Sequence, residues 1–140
     1  MTANHPTPDY GRKYLLTKID SKVKHWAKKL TDFLPPDIRV FASYHVAERI
    51  LDRMNGEYAI VLLVATKWIK SNPTKLVQDI DVVIRYKDFR LLINCEPYTQ
   101  NDANLRQVRL NTVLTDAETI PIREKKGKPI LYVTYTLKDL

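Results

Sequence analysis

At 140 residues the chain has the size of one ordinary domain, enough to bury roughly two-thirds of its unfolded surface. Apolar residues make up 44% and charged residues 28%, the balance of a globular chain and not a disordered one. Three glycines and the absence of any GxxxxGK or GxGxxG string argue against a nucleotide-driven motor or a dinucleotide enzyme. A net charge of +7 draws polyanions without saying anything of fold. Nucleic acid is the first class of partner it suggests, an anionic membrane or an acidic protein the next, and an ordinary solvated basic surface the plain alternative.

The opening stretch, MTANHPTPDYGRK, lacks the apolar core of a signal peptide. No uninterrupted apolar run approaches about 18 residues, so a cytoplasmic protein without membrane association is expected. Residues 1–8 read as a flexible tail because Pro6 and Pro8 precede the first periodic segment, and residues 9–140 read as a single domain. From Asp9 to Leu34, apolar residues recur at Leu15, Leu16, Ile19, Val23, Trp26, Ala27, Leu30, Phe33 and Leu34. Intervals of three and four mark an amphipathic helix. Lys13, Lys18, Lys22, Lys24, Lys28 and Lys29 line its other side, either as a solvated face or as phosphate contacts. Pro35-Pro36 stops it, since proline lacks an amide donor and restricts the residue before it.

Ile38 to Phe41 reads as a short extended connection. Ser43 is placed to N-cap a second helix, YHVAERILDRM, with Val46 and Ile50 as its apolar stripe and Asn55-Gly56 as its stop. A third helix, Glu57 to about Ser71, is apolar almost all round and reads as the buried one, ending at Asn72-Pro73. The period then changes from 3.6 to 2. Ile80, Val82, Ile84 and Tyr86 alternate with Asp79, Asp81, Val83 and Arg85. Lys87-Asp88 makes a tight turn, and Arg90 to Glu96 forms the next strand. After a polar loop from Tyr98 to Asn104, Leu105 to Leu114 reads as a third strand. A charged loop from Arg123 to Lys128 leads into a fourth, Pro129 to Leu137. Short links favour an antiparallel meander. The expected fold is therefore α+β, three N-terminal helices packed on one face of a four-stranded antiparallel sheet.

Parity assigns the other face of that sheet. With the apolar alternation turned toward the helices, Asp81, Arg85, Asn94, Glu96, Gln107, Arg109, Tyr132, Thr134 and Thr136 point away from them. Such a face is either simply solvated or a substrate surface. Cys95 sits in the apolar run LLINC and reads as a buried free thiol; a lone cysteine forms no internal disulfide and suits a reducing compartment. With three scattered histidines it makes no zinc cluster, and no metal or other cofactor is expected.

Within YHVAERILDR, His45 and Arg49 stand four apart and Arg53 four further, one helical turn between neighbours. RNA is cleaved by its own 2′-hydroxyl when a protein removes that proton, protonates the leaving oxygen and stabilises the charge on phosphorus. Histidine suits the proton transfers and arginine the phosphate. The same spacing arises in ordinary surface helices, with Glu48 and Asp52 forming solvated ion pairs. His5 and His25 read as surface residues; Trp26 and Trp68, at helical apolar positions, read as core first and as base-stacking rings second.

This helix, the helix after it and four strands ending in a Y-V-T-Y run resemble the RelE-like and colicin-like ribonuclease superfamily. SYHVAERILDRMNGEYAIVLL is most similar there to the phage RegB-type endoribonucleases. The resemblance implies a metal-independent endoribonuclease acting by 2′-hydroxyl transphosphorylation. It would carry the catalytic histidine onto His45 and the phosphate-binding arginine onto Arg49, with Tyr132 and Thr134 in the site floor. In a cleaving site of this kind Arg109 of the sheet is expected to join Arg49 on the phosphate. The second histidine of the RegB pattern is absent from IVLLVATKWIK, where Lys67 stands as the charged substitute and Glu96 or Arg109 as sheet contributors. RNA contacts are expected from Arg53, Lys67, Arg85, Lys18, Lys22 and Lys29. The expected partner is RNA, messenger RNA first and a ribosome-bound form next. The alternative is a non-catalytic phage-type protein on the same fold, using its basic surface against RNA or an acidic protein partner or inhibitor.

Overall fold

The computed structural model describes residues 8–99, 102–118 and 127–140. Helix α1 (Pro8–Phe33) begins one residue inside the segment expected to be a tail, and residues 1–7 of that segment lie outside the described residues. It buries Leu16, Ile19, Val23, Ala27 and Leu30, the stripe at intervals of three and four. Strand β1 (Ile38–Ala42) follows the proline pair, then helix α2 (Tyr44–Met54) and helix α3 (Tyr58–Ser71). Ser43 occupies the cap of α2 without a side-chain cap hydrogen bond. Asn55 and Gly56 turn the chain between the helices at φ 50 and 78, left-handed values that glycine and asparagine adopt at low cost.

Strands β2 (Ile80–Tyr86) and β3 (Phe89–Thr99) form a hairpin about Lys87, itself at φ 52. Strand β4 (Asp102–Thr115) and strand β5 (Ile130–Tyr135) follow, and a single 3-10 turn (Leu137–Asp139) ends the chain. Three helices and an α+β layering stand as expected, but the sheet does not. It has five strands in the order β1-β4-β3-β2-β5, and it is mixed, with β1 parallel to β4 and β5 parallel to β2. The Ile38–Phe41 connection is thus an edge strand, paired from Ile38 with Arg106 to Ala42 with Leu110. The polar loop expected over Tyr98–Asn104 is mostly strand, because β3 and β4 run on to a Thr99–Asp102 pair. Most of the charged loop over Arg123–Lys128 lies outside the described residues.

One core fills the space between the helices and the sheet. Val46, Ala47 and Ile50 of α2, Val61, Val64, Ala65 and Trp68 of α3, and Val82, Ile84, Leu91, Ile93, Cys95, Val108 and Leu110 of the sheet are fully or almost fully buried in it. Thr31 seals the outer edge of β1, its Oγ1 accepting the Val40 amide at 2.9 Å while donating to the Ala27 carbonyl at 2.8 Å.

The second face is less open than alternation suggests. Val83, Leu92, Thr112 and Leu114 point to it and are as buried as core residues. An extra residue in β4, where the register shifts between Leu92 and Ile93, lets Asn111 reach Asn94 across the strands. The two ends of the β4–β5 connection are tied to opposite ends of β3. Arg90 donates to the Glu118 carbonyl, and Lys128 reaches Glu96 at 3.2 Å.

Candidate nucleic-acid interface

Helix α2 starts three residues after Phe41, which pairs in register with Arg109 of β4. The junction therefore brings the first turn of α2 to the part of the sheet that carries Arg109. His45 has a half-exposed side chain, its Nδ1 3.3 Å from Glu48 Oε1, and Arg49, one turn on, is half-buried. Arg109 is exposed and lines a hollow of about 480 Å³ with Ser43, Gln107 and the stacked rings of Phe41 and Tyr98, whose centroids lie 5.4 Å apart.

Tyr132 and Thr134 are not part of this group. Both are exposed on the second face of β5, which stands three strands from β4, about 14 Å at the usual strand spacing. Helix α2 packs Val46, Ala47 and Ile50 against the other face. The shared cleft of His45, Arg49, Tyr132 and Thr134 is not assembled, because β1 and β4 place α2 at one end of the strand order and β5 closes the other.

Two arginines expected to grip RNA are engaged within the protein. Arg53 meets Glu118 Oε2 at 2.7 Å and donates to the Val113 carbonyl, and Arg85 pairs with Asp116 at 3.1 Å. The Thr115 amide, more than the Arg53 charge, holds the Glu118 carboxyl below its ordinary range. Across α2, Arg12 of α1 forms a two-pronged pair with Asp52 that draws the Asp52 pKa down. Lys67 is exposed on α3, close enough for its charge to act on Asp139 of the terminal turn.

The basic side chains of α1 are arranged differently. Lys18, Lys22, Lys28 and Lys29 are exposed, and among the described residues none is ion-paired; on this helix only Arg12 and Lys24 are. Beside Lys22 and Lys29 lies a hollow of about 490 Å³ between α1 and α3, floored by Trp26, Phe33, Tyr58 and Leu62 and rimmed by Lys22, His25, Lys29 and Lys70. Trp26 donates from Nε1 to Thr66 Oγ1 at 2.7 Å, and the Lys70 ammonium lies 4.3 Å from the Phe33 ring centre.

The apolar recurrence of α1 includes Trp26 and Phe33, with core packing expected ahead of base stacking for Trp26. Trp26 is only partly buried and Phe33 is 63% exposed. The signal was present in the spacing Lys22, Trp26, Lys29, Phe33, a cation and a ring by turns along one helical face. The distinction lies in α3, which stands beside that face without covering it.

A second polar cluster sits on the far face of the sheet. Lys128 Nζ lies 2.9 Å from Asp81 and 3.2 Å from Glu96, with Asn94 donating to Asp81 and Gln107 to Glu96. Burial works against the Lys128 ammonium, but hydrogen bonds and charge from Asp81 and then Glu96 outweigh it and raise its pKa. Every member has a partner, so the cluster reads as a structural clamp.

No family model, curated protein or solved structure matches the chain.

Proposed function

We propose that this protein binds RNA through the basic face of α1. The observation that carries the reading is the row of unpaired, exposed lysines at Lys18, Lys22, Lys28 and Lys29, in a chain of net charge +7 whose arginines at 53 and 85 are already neutralised. Free ammonium groups on one face supply the sequence-independent attraction to phosphates on which nucleic-acid binding rests. An anisotropy titration of labelled RNA at physiological salt tests it. Lys18→Glu, Lys22→Glu and Lys29→Glu together are expected to weaken binding by about a hundredfold or more. Wild-type protein that binds no RNA, or a triple variant that binds as well, overturns the proposal.

Strand cleavage is the second reading, favoured by one observation: the half-exposed imidazole of His45 stands at the head of α2 with Arg49 one turn behind it, where the chain leaves the Phe41–Arg109 pair. Here His45 transfers the proton between the 2′-hydroxyl and the leaving oxygen, while Arg49 holds the phosphate; Arg109, between the core-facing Val108 and Leu110, points to the other side of the sheet. Tyr132 and Thr134 have no role in it. Labelled RNA incubated in EDTA should be cut to 2′,3′-cyclic phosphate ends, and His45→Ala should slow the cut by about two to four powers of ten. RNA left intact by the wild type, or cut equally well by the variant, removes cleavage and leaves binding standing.

A further inference from the structure

We infer that the hollow between α1 and α3 is a single-strand site, in which unstacked nucleobases lie on Trp26 and Phe33 while their phosphates meet Lys22, Lys29 and Lys70. This inference rests on the RNA-binding reading and specifies the form of RNA. Its basis is the order of side chains along α1. Lys22, Trp26, Lys29 and Phe33 follow one another at intervals of four, three and four, so cations and rings alternate along about 17 Å of helix. A nucleic-acid strand repeats the same alternation of anion and ring.

The site is built for stacking in three respects. Its volume of about 490 Å³ falls within the range of small-ligand pockets. The indole of Trp26 is fixed by its bond to Thr66, so little side-chain freedom is lost when a base lies on it. The Phe33 ring remains 63% exposed even with Lys70 beside it, and among the described residues that line the hollow none is acidic.

A duplex offers this surface only phosphates, because its bases are already stacked on each other; a single strand offers both. An acidic amphipathic helix from a protein partner would call for a continuous apolar stripe with cations outside it. Along α1, Lys29 stands between Trp26 and Phe33 in the row, so the rings of that wall alternate with cations. The complementarity therefore favours the polynucleotide.

Trp68 is 1% exposed, so a change in tryptophan emission on binding reports mainly on Trp26. The full chain is titrated with a uridine oligonucleotide, a duplex RNA of the same length, inorganic polyphosphate and an acidic amphipathic peptide. The single strand should quench the emission and bind about tenfold or more tighter than the duplex, and polyphosphate should bind without quenching. Phe33→Ala removes an exposed ring and should cost single-strand affinity about tenfold, the worth of one stacked base, while leaving polyphosphate binding unchanged. Equal affinity for single strand and duplex, an unaffected Phe33→Ala variant, or quenching by the peptide and not by RNA overturns the inference. If the lysine triple variant still loses RNA in the first two cases, the RNA-binding reading survives; a wild type that binds no RNA of either form removes both.

Discussion

Lys128 stands between two carboxylates in a position where each of the three charges would be costly alone. Its side chain and that of Asp81 are about nine-tenths buried. Breaking such a pair leaves an uncompensated charge out of water, which costs more than the pair contributes when intact. Lys128→Met is expected to destabilise the fold by about 3 kcal/mol, read from the urea midpoint at neutral pH. The sign of the pH effect follows from the raised pKa. The contribution of Lys128 is fully present below the ordinary lysine value of 10.5 and is lost as pH rises through the higher folded value. A variant with wild-type stability at neutral pH, or an alkaline loss of stability no smaller than the wild type's, would contradict this. Alternation puts Asp81 and Glu96 on one sheet face, but nothing local joins them to Lys128, which lies about thirty residues from Glu96 and further from Asp81. Cys95 was easier to read. The apolar run around it predicted a buried thiol, and burial pushes its pKa up to about 12.

Among the elements, β1 shows where periodicity runs out. Five residues after a proline pair carry too few alternations to distinguish a strand from a connection, and their partners in β4 lie nearly seventy residues on. What makes β1 an edge strand is pairing on one side and Thr31 on the other. Thr31→Val keeps the shape of the side chain but leaves the Val40 amide, in a residue only 5% exposed, without its acceptor. Unfolding by urea should show a loss of about 1–2 kcal/mol, the cost of a buried unsatisfied donor, and hydrogen exchange at Val40 should accelerate. Unchanged exchange there would mean that water already serves that amide. The second strand error has the same origin. The charged loop before β5 fits an antiparallel meander, yet β5 joins β2 in parallel, a choice between two possible neighbours that local sequence does not express.

For the molecule as a whole, the distribution of charge matters more than its sum. The salt bridges of Arg12, Arg53 and Arg85 occupy cations that composition counts as available, whereas Lys18, Lys22, Lys28 and Lys29 of α1 and Lys70 of α3's last turn are exposed and form no ion pair among the described residues. Single strands lose affinity with a slope of about −0.7 in log K against log salt for each phosphate neutralised. Contacts from Lys22, Lys29 and Lys70 therefore contribute about −2 to the slope. Lys29→Gln with Lys70→Gln should reduce its magnitude by about 1.4, measured by anisotropy from low to physiological salt. A slope that does not change would place the phosphates elsewhere on the surface.

Three helices, the hairpin about Lys87, the buried cysteine and the basic face of α1 all followed from residues near one another in the chain. Each depends on local periodicity, turn chemistry or composition, which the residues themselves carry. Strand order, the parallel pairings and the sorting of arginines into paired and unpaired depended on contacts between segments tens of residues apart. The same is true of the candidate site. A histidine and an arginine one turn apart were visible in the chain, but whether Tyr132 shared their cleft was decided by β5 docking beyond β2. Trp26 and Phe33 looked apolar and therefore internal; only the packing of α3 beside α1 left them lining a surface.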